Sequence, residues 1–289
     1  MEKVSIVITA YNVEDYILRA VASVKDQTWP SVEIIVVEDC STDGTLDVLK
    51  DEDGIKLIVN ESNLGAGKSR QIGIKAATGE FVLLLDADDW LEPDCIESLI
   101  KTQRKYRSDM TGCNIRVVRD SGTEEETTEE CELSGLDKFK IISGKTPFLN
   151  PILVRRELYN RVEYCPRRFI EDSPTLWKLL FFANKLVYSG KVGYNYYQRQ
   201  NSLCHTSSVY KRYLFSALAI IDIILFLKQN NGIDILKETG LVDELISIYG
   251  CIVLNQTASP DKDNFTKERQ FIDKFVGFLK GQNHGLQER

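Results

Sequence analysis

Phe81-Val-Leu-Leu-Leu85, followed at once by Asp86-Ala-Asp-Asp-Trp90, decides how the N-terminal part of the chain folds. A run that is apolar at every position leaves no polar face, so the strand it predicts is covered on both sides, as strands of a parallel sheet are. Outward from it, similar runs recur at Val4-Ser-Ile-Val-Ile8, Glu33-Ile-Ile-Val-Val37 and Lys56-Leu-Ile-Val-Asn60. Helical spacing fills the gaps. Val13, Tyr16, Ile17, Ala20, Val21 and Val24 fall on one helix face, with Asn12 as the predicted N-cap and Asp15 as a weak capping-box partner. Ser41-Thr-Asp-Gly-Thr45 opens a second helix, and Ser69 to Thr78 forms a third that Gly79 closes. Strand–helix units repeated in this way join by right-handed crossovers into a parallel sheet.

Beyond about residue 110 the pattern changes. Asn114-Ile-Arg-Val-Val118 reads as a strand, and the acidic run from Glu124 to Glu132 as a solvated loop or hairpin without a functional role. Pro147 to Arg168 is irregular, with basic pairs at Arg155-Arg156 and Arg167-Arg168. Asp172 or Ser173 caps a helix through Leu176, Leu179 and Leu180, Lys191 to Tyr197 returns as a strand, and from Val209 onward the chain reads as helical. Three regions follow: residues 1–110, an α/β unit; 111–205, a second subdomain; and 206–289, a helical region.

Of 289 residues, 43% are hydrophobic and 27% charged, the composition of an ordinary globular protein. Lys and Arg number 36 against 43 Asp and Glu, a net charge of −7 that argues against a nucleic-acid surface. The seven Cys are odd in number and form no Cys-x-x-Cys pair, and only His205 and His284 could join a zinc cluster. A reducing cytoplasm is the expectation. Met1 to Ser5 lacks a signal-peptide apolar core, and Tyr213 to Leu227, broken by Ser216 and Asp222, is shorter than the roughly 20 residues that span a bilayer. Peripheral membrane contact and homo-oligomer formation stay open. Leu214, Leu218, Ile221 and Leu225 fall near one helix face, and their apolar surroundings predict burial in the helical region or an oligomer interface.

In an open α/β sheet, ligands bind beyond the carboxyl ends of the strands. Those positions hold Thr9, Ala10, Tyr11 and Asn12; Glu38 and Asp39; Asn60 and Asn63; and Asp86, Asp88 and Asp89. Asp86 and Asp88 have the alternation that turns two side chains to one side of a strand. Two such carboxylates suit Mg²⁺ or Mn²⁺, which take one or two carboxylates together with substrate phosphates. The plainer role is a cluster capping a helix that starts near Glu92-Pro93, with Asp89 as the cap. Gly67-Lys68-Ser69 is similar to the end of a Walker A loop, but Ser62 stands where that motif needs glycine. The turn after the first strand has no glycine to admit a dinucleotide pyrophosphate.

Val4-Ser-Ile-Val-Ile-Thr-Ala-Tyr-Asn12, Gln27-Thr28, Glu33 to Asp39, Ser41 to Thr45 and Asp86 to Trp90 together resemble the family 2 glycosyltransferases of the GT-A fold, a mostly parallel Rossmann-like sheet flanked by helices. The resemblance runs from Val4 to about Leu99 and continues more weakly through Glu171-Asp172 to Ser202. It implies that Thr9, Tyr11 and Asp39 hold the base and ribose of a nucleotide-sugar, a UDP-sugar being favoured, with Asn63 near the base and Arg70 reaching the donor. Core packing for Tyr11, an N-cap for Asp39, a turn for Asn63 and a solvated helix position for Arg70 are the plainer alternatives. The family more often has Asp where this chain has Glu38.

The same resemblance makes Asp88 a ligand of a divalent metal, Mn or Mg, and Asp86 a partner of the ribose or of the metal shell. Glu171-Asp172 matches the acidic pair that supplies the catalytic base, with Asp172 as base and Glu171 orienting it or the acceptor; both could instead simply start a helix. Arg199 is expected near the diphosphate, and His205 as a further metal ligand or a structural residue. The implied reaction is inverting transfer of a sugar to a saccharide or lipid-linked acceptor, in surface polysaccharide synthesis. A non-catalytic nucleotide-sugar-binding subunit is the main alternative. A nucleotidyltransferase is disfavoured, because Thr9 to Glu14 is neither glycine-rich nor basic.

Overall fold

The computed structural model describes residues 1–140, 151–165, 170–199, 208–255 and 263–287. They divide into two compact units, one of residues 1–138 and 146–199, the other of 139–145 and 200–289.

The first unit opens with the expected alternation: β1 (Val4–Ala10), α1 (Ile17–Lys25), β2 (Val32–Glu38), α2 (Thr45–Lys50), β3 (Ile55–Val59), α3 (Ala66–Ala76) and β4 (Phe81–Asp86). β5 (Trp90–Leu91), α4 (Cys95–Tyr106), β6 (Met110–Arg119), β7 (Gly122–Glu126) and β8 (Cys131–Ser134) follow, then the short α5 (Asp137–Lys140), whose last two residues belong to the second unit. β9 (Ile152–Arg155), α6 (Arg156–Tyr159), α7 (Asp172–Phe182) and β10 (Lys185–Tyr197) complete it. The strand order is β3-β2-β1-β4-β9-β6-β10-β5, with β7 on β6 and β8 on β10. β1 pairs in parallel with both β2 and β4, and β2 with β3, so the carboxyl ends of these four strands share one edge. β10 runs parallel to β6, whereas β9 is antiparallel to both β4 and β6. From β3 to β10 the sheet is therefore parallel except for the reversed β9, while β5, β7 and β8 add antiparallel pairs on β10 and β6.

Burial follows the sequence pattern. Phe81 to Leu85 are buried on both faces, and Ile17, Ala20, Val21 and Val24 turn the apolar side of α1 into the same core. α4 does likewise through Cys95, Ile96, Leu99 and Ile100. α3 approaches the sheet closely: a Cβ on Gly73 would lie 2.3 Å from a Val7 methyl, so only glycine permits this packing distance.

Several local expectations are corrected. Asn12 does not cap α1; it adopts a left-handed φ of 53°, and α1 starts only at Ile17. Its side chain instead accepts from the Thr42 N–H (2.8 Å), while its own N–H donates to Ser41 Oγ (3.1 Å). The loops after β1 and β2 are thereby tied together. α3 ends at Ala76 rather than Thr78, and Gly79 serves a close approach, since a Cβ there would meet the Lys3 carbonyl oxygen at 2.7 Å. Asp89 is not a helix cap: Asp94 precedes α4, and Asp89 turns inward. The acidic run, as expected, is solvated and hairpinned: it supplies most of the exposed β7, antiparallel to β6, and part of β8. The segment read as irregular contains β9 and α6, and Arg167-Arg168 lies outside the described residues.

The second unit is helical: α8 (Val209–Gln229), α9 (Ile233–Thr239), α10 (Leu241–Asn255) and α11 (Thr266–Gln287). Ser208 caps α8 by accepting from the Lys211 N–H (3.2 Å). α8 buries Leu214, Leu218, Ile220, Ile221, Ile223 and Ile224, a surface too broad for a single stripe, and Leu225 is exposed. Among the described residues no helix is long and apolar enough to cross a membrane.

Candidate active site

The parallel register of β1, β2 and β4 sets Thr9 beside Val37 and Asp86, and Ala10 beside Glu38. The chemistry-bearing residues of three strands thus meet at one edge. Thr9 and Asn63 are half-buried there, and Tyr11 is 44% exposed, which removes core packing as its role and leaves its ring free to stack. Asp39 is buried; its carboxylate accepts from Asn60 Nδ2 and from the Leu64 and Gly65 N–H groups, each at 2.8 Å. It anchors the loop that enters α3, using three of a carboxylate's roughly four acceptor sites. Glu38 is also buried and accepts from the N–H groups of Cys40 and Ser41, which fixes the turn at Cys40, where φ is 60°.

Arg70 is the centre of one charge cluster. Its side chain, carried inward by α3, is 7% exposed. Nη2 donates to Asp86 Oδ1 at 2.7 Å, and Nη1 to Glu171 Oε1 at 2.5 Å and Asp172 Oδ1 at 2.7 Å. The Tyr164 hydroxyl, itself 3.3 Å from Arg70 Nη1, donates to the same Asp172 oxygen. The structure therefore brings Asp86, Glu171 and Asp172 together, and it places Arg70 among carboxylates, not on the surface of its helix. Burial pushes the Glu171 carboxyl up to about 7, with the neighbouring Asp172 charge adding to the rise and Arg70 opposing it. Asp172 is raised too, by burial first, against the lowering effect of Arg70. Ile170, directly before this pair, holds φ at 56°, a left-handed conformation that a β-branched residue adopts only when its surroundings impose it.

Asp88 and Asp89 form a second cluster. Asp89 is buried and accepts from the Tyr194 hydroxyl at 2.6 Å and the Tyr197 N–H at 2.8 Å, so β10 fastens the turn after β4. Asp88 Oδ2 lies 3.0 Å from Arg199 Nε, and the Asp88 carbonyl accepts from Arg19 Nη2 at 2.6 Å. Arg19 stacks on Trp90, 3.9 Å from its ring centroid, and 5.1 Å from that of Tyr197. Burial, then the Asp86 charge, raises the Asp88 carboxyl above its ordinary value, and Arg199 offsets part of this.

Five carboxylates (Asp86, Asp88, Asp89, Glu171 and Asp172) thus face three guanidiniums (Arg19, Arg70 and Arg199). The unmatched negative charge and the all-oxygen donors suit a hard divalent cation. Among the described residues there is no ready-made group of three or more His, Cys, Asp or Glu ligands, so Asp86 and Asp88 would need substrate oxygens to complete a shell. His205 and Ser202 lie outside the described residues.

The sequence assigns no site role to Arg19, Tyr164 or Tyr194, and it offers Asp89, at a strand end, as a helix cap. Arg19 sits on the solvent side of α1 and Tyr164 in a stretch without periodicity, and neither position carries a local signal of its partner. The aromatic run at Tyr194, Tyr196 and Tyr197 is the one hint that a strand end faces something polar.

Comparisons with known proteins bear on the fold and the family. The chain is 29% identical to EpsH of Bacillus subtilis over 274 residues, covering 87% of this chain and 76% of that one. It is 30% identical to the succinoglycan biosynthesis protein ExoO of Rhizobium meliloti, over 69% of this chain and 62% of that one. It is 29% identical to the poly(ribitol-phosphate) beta-N-acetylglucosaminyltransferase TarS of Staphylococcus aureus, over 73% of this chain and 38% of TarS. The structure of S. aureus TarS 1-349 in complex with UDP-GlcNAc superposes with a TM-score of 0.65 at 23% identity, over 98% of this chain and 92% of that one, and has the same GT-A fold. The family model for glycosyl transferase family 2 matches residues 5–167, more than half of the sequence. The chain belongs to the family 2 glycosyltransferases.

Proposed function

We propose that the protein transfers a sugar from a nucleoside-diphosphate donor, a UDP-sugar in preference to others, to a hydroxyl of a saccharide or lipid-linked acceptor, with inversion at the anomeric carbon. The observation that carries this reading is the setting of Asp172. Its carboxylate lies at the carboxyl edge of the sheet, oriented by Arg70 at 2.7 Å and by the Tyr164 hydroxyl, and linked through Arg70 to Asp86. TarS, named as a poly(ribitol-phosphate) beta-N-acetylglucosaminyltransferase, and ExoO, named for succinoglycan biosynthesis, support a role in surface polysaccharide assembly.

In this reading residues 1–110 hold the donor, 111–205 supply the base and the acceptor side, and 206–289 form the helical region. Tyr11 stacks on the base, while Thr9, Asn63 and the remaining acceptor site of Asp39 meet the base and ribose. Asp172 accepts the acceptor's hydroxyl proton as that oxygen bonds to the anomeric carbon, and the bond to the diphosphate breaks on the opposite face. A single displacement inverts the anomer, because no second carboxylate acts as nucleophile. Arg199, beside Asp88, neutralises the leaving diphosphate. A divalent cation, Mn²⁺ or Mg²⁺, held by Asp88 and Asp86 would supply Lewis-acid neutralisation of the same charge. Glu171 keeps Arg70, and through it Asp172, in place.

Thermal unfolding with UDP, GDP, CMP or ATP, each with Mn²⁺ or EDTA, tests the donor. A ligand present at 100 times its Kd adds about 2.7 kcal/mol to stability. Stabilisation by UDP that requires Mn²⁺ is the expected result; preference for GDP would remove the uracil assignment, and no response to any nucleotide would favour a non-catalytic subunit. The anomeric configuration of the product, read by NMR, tests inversion.

A further inference from the structure

Two arginines hold Asp88, and they hold it differently. Arg19 grips the main chain: Nη2 donates to the Asp88 carbonyl at 2.6 Å, and stacking on Trp90 at 3.9 Å immobilises the guanidinium. This fixes where the Asp88 backbone sits without engaging its carboxylate. Arg199 approaches the carboxylate itself, Nε to Oδ2 at 3.0 Å, yet this buried Nε has no aligned hydrogen-bond acceptor. The pair is a charge contact without a directed bond, and the other support for the guanidinium is the Tyr16 ring, 5.3 Å from Cζ. Arg70, by contrast, makes directed bonds to three carboxylates.

Asp89 is committed to Tyr194 and Tyr197, and Oδ1 of Asp86 to Arg70. Asp88 is therefore the carboxylate of this edge whose partner can be exchanged. A guanidinium whose N–H lacks a good acceptor gains directed, charge-assisted bonds when a diphosphate offers its oxygens.

We propose that Arg199 is an exchangeable counter-ion: without donor it occupies the cation's position on Asp88, and it passes to the diphosphate when nucleotide and cation arrive together. This rests on the nucleotide-sugar reading of the same site. The consequence is synergy. A cation alone must displace Arg199 and leave it without a carboxylate, whereas a nucleoside diphosphate gives it a new anion. Coupling of this kind is reciprocal, so the cation must tighten the nucleotide by the same factor.

The experiment measures Mn²⁺ affinity by electron paramagnetic resonance of the free ion, with and without UDP and with no turnover, in the wild type, Arg199→Gln, Arg199→Lys and Tyr16→Leu. In the wild type, UDP is expected to tighten Mn²⁺ by about tenfold or more, a tenfold change being about 1.4 kcal/mol. Arg199→Gln should bind Mn²⁺ alone about tenfold more tightly than the wild type and lose most of the UDP enhancement. Arg199→Lys keeps the charge and should stay near the wild type, and Tyr16→Leu, which removes the ring beneath the guanidinium, should move part of the way. Unchanged or weaker Mn²⁺ binding in Arg199→Gln and Tyr16→Leu, while the wild type still binds UDP with Mn²⁺, would overturn the exchange alone. Failure of the wild type to bind UDP under any condition would overturn the nucleotide-sugar reading and the exchange with it. Thermal unfolding of each variant without ligand identifies any that fails to fold, in which case whichever of Arg199→Gln and Tyr16→Leu folds decides.

Discussion

The Arg70 and Arg199 clusters use the same chemistry, guanidinium against carboxylate, in different surroundings. Arg70 is 7% exposed and directs N–H bonds at Asp86, Glu171 and Asp172. Arg199 and Asp88 are 25% and 21% exposed and touch through charge alone. A buried charge that loses its partner must be neutralised or pull the fold apart, whereas a half-exposed one is met by water. The first cluster is a fixed frame for the base; the second is built for partners that come and go.

The sharpest way to break this contrast is to delete each arginine. Arg70→Met leaves three carboxylates around one apolar side chain and should cost about 3–5 kcal/mol in chemical denaturation, whereas Arg199→Met should cost no more than about 1 kcal/mol. Equal losses would mean the clusters do not differ in kind. Asp172→Asn should lower transfer about a thousandfold, within the range for a general base, while its unfolding midpoint moves far less than that of Arg70→Met. Tyr194→Phe tests the seam to the second cluster: with one of its donors gone, buried Asp89 should cost the fold about 1–3 kcal/mol.

A further effect expected is one of pH. Burial, with help from Asp172, raises Glu171 from 4.5 to about 7, so between these values the folded protein binds more protons than the unfolded chain. Its contribution to stability is then greatest below pH 4.5 and declines as pH rises toward 7. Stability of Glu171→Gln relative to the wild type should therefore improve across that interval and level off above it. A difference that stays flat with pH would show that Glu171 is already ionised under Arg70's influence.

How much of this was legible beforehand depends on the range of the interaction. The four parallel strands were readable because Phe81 to Leu85 and its counterparts carry their burial in their own residues, and the edge residues follow once the strands are placed. Arg70 was placed on the correct helix, but its carboxylate partners lie 16, 101 and 102 residues away, and no local pattern announces them. Asp89 looked like a helix cap because Asp before a helix usually is one; Tyr194, 105 residues on, claims it instead. Asn12 failed for a related reason. A residue that accepts bonds near a helix start can do so for a neighbouring loop, and here Thr42 offers the donor. β9 escaped notice because Ile152-Leu-Val-Arg155 is four residues long and owes its place to β4 and β6.

That short reversed strand also sets an order of events during synthesis. β4 and β6 precede it in the chain, yet β9 is what joins them, bonding Val82 to Val154 on one side and Thr111 to Leu153 on the other. A nascent chain that stops before Ile152 therefore exposes two inward edges, of the kind that recruit foreign strands. The seam closes only through contacts distant in sequence, the slow class of folding event. For a growing polypeptide, the facing edges of β4 and β6 stay open from the making of Arg119 until Arg155 is made, and β6 waits longer still for β10 on its other side.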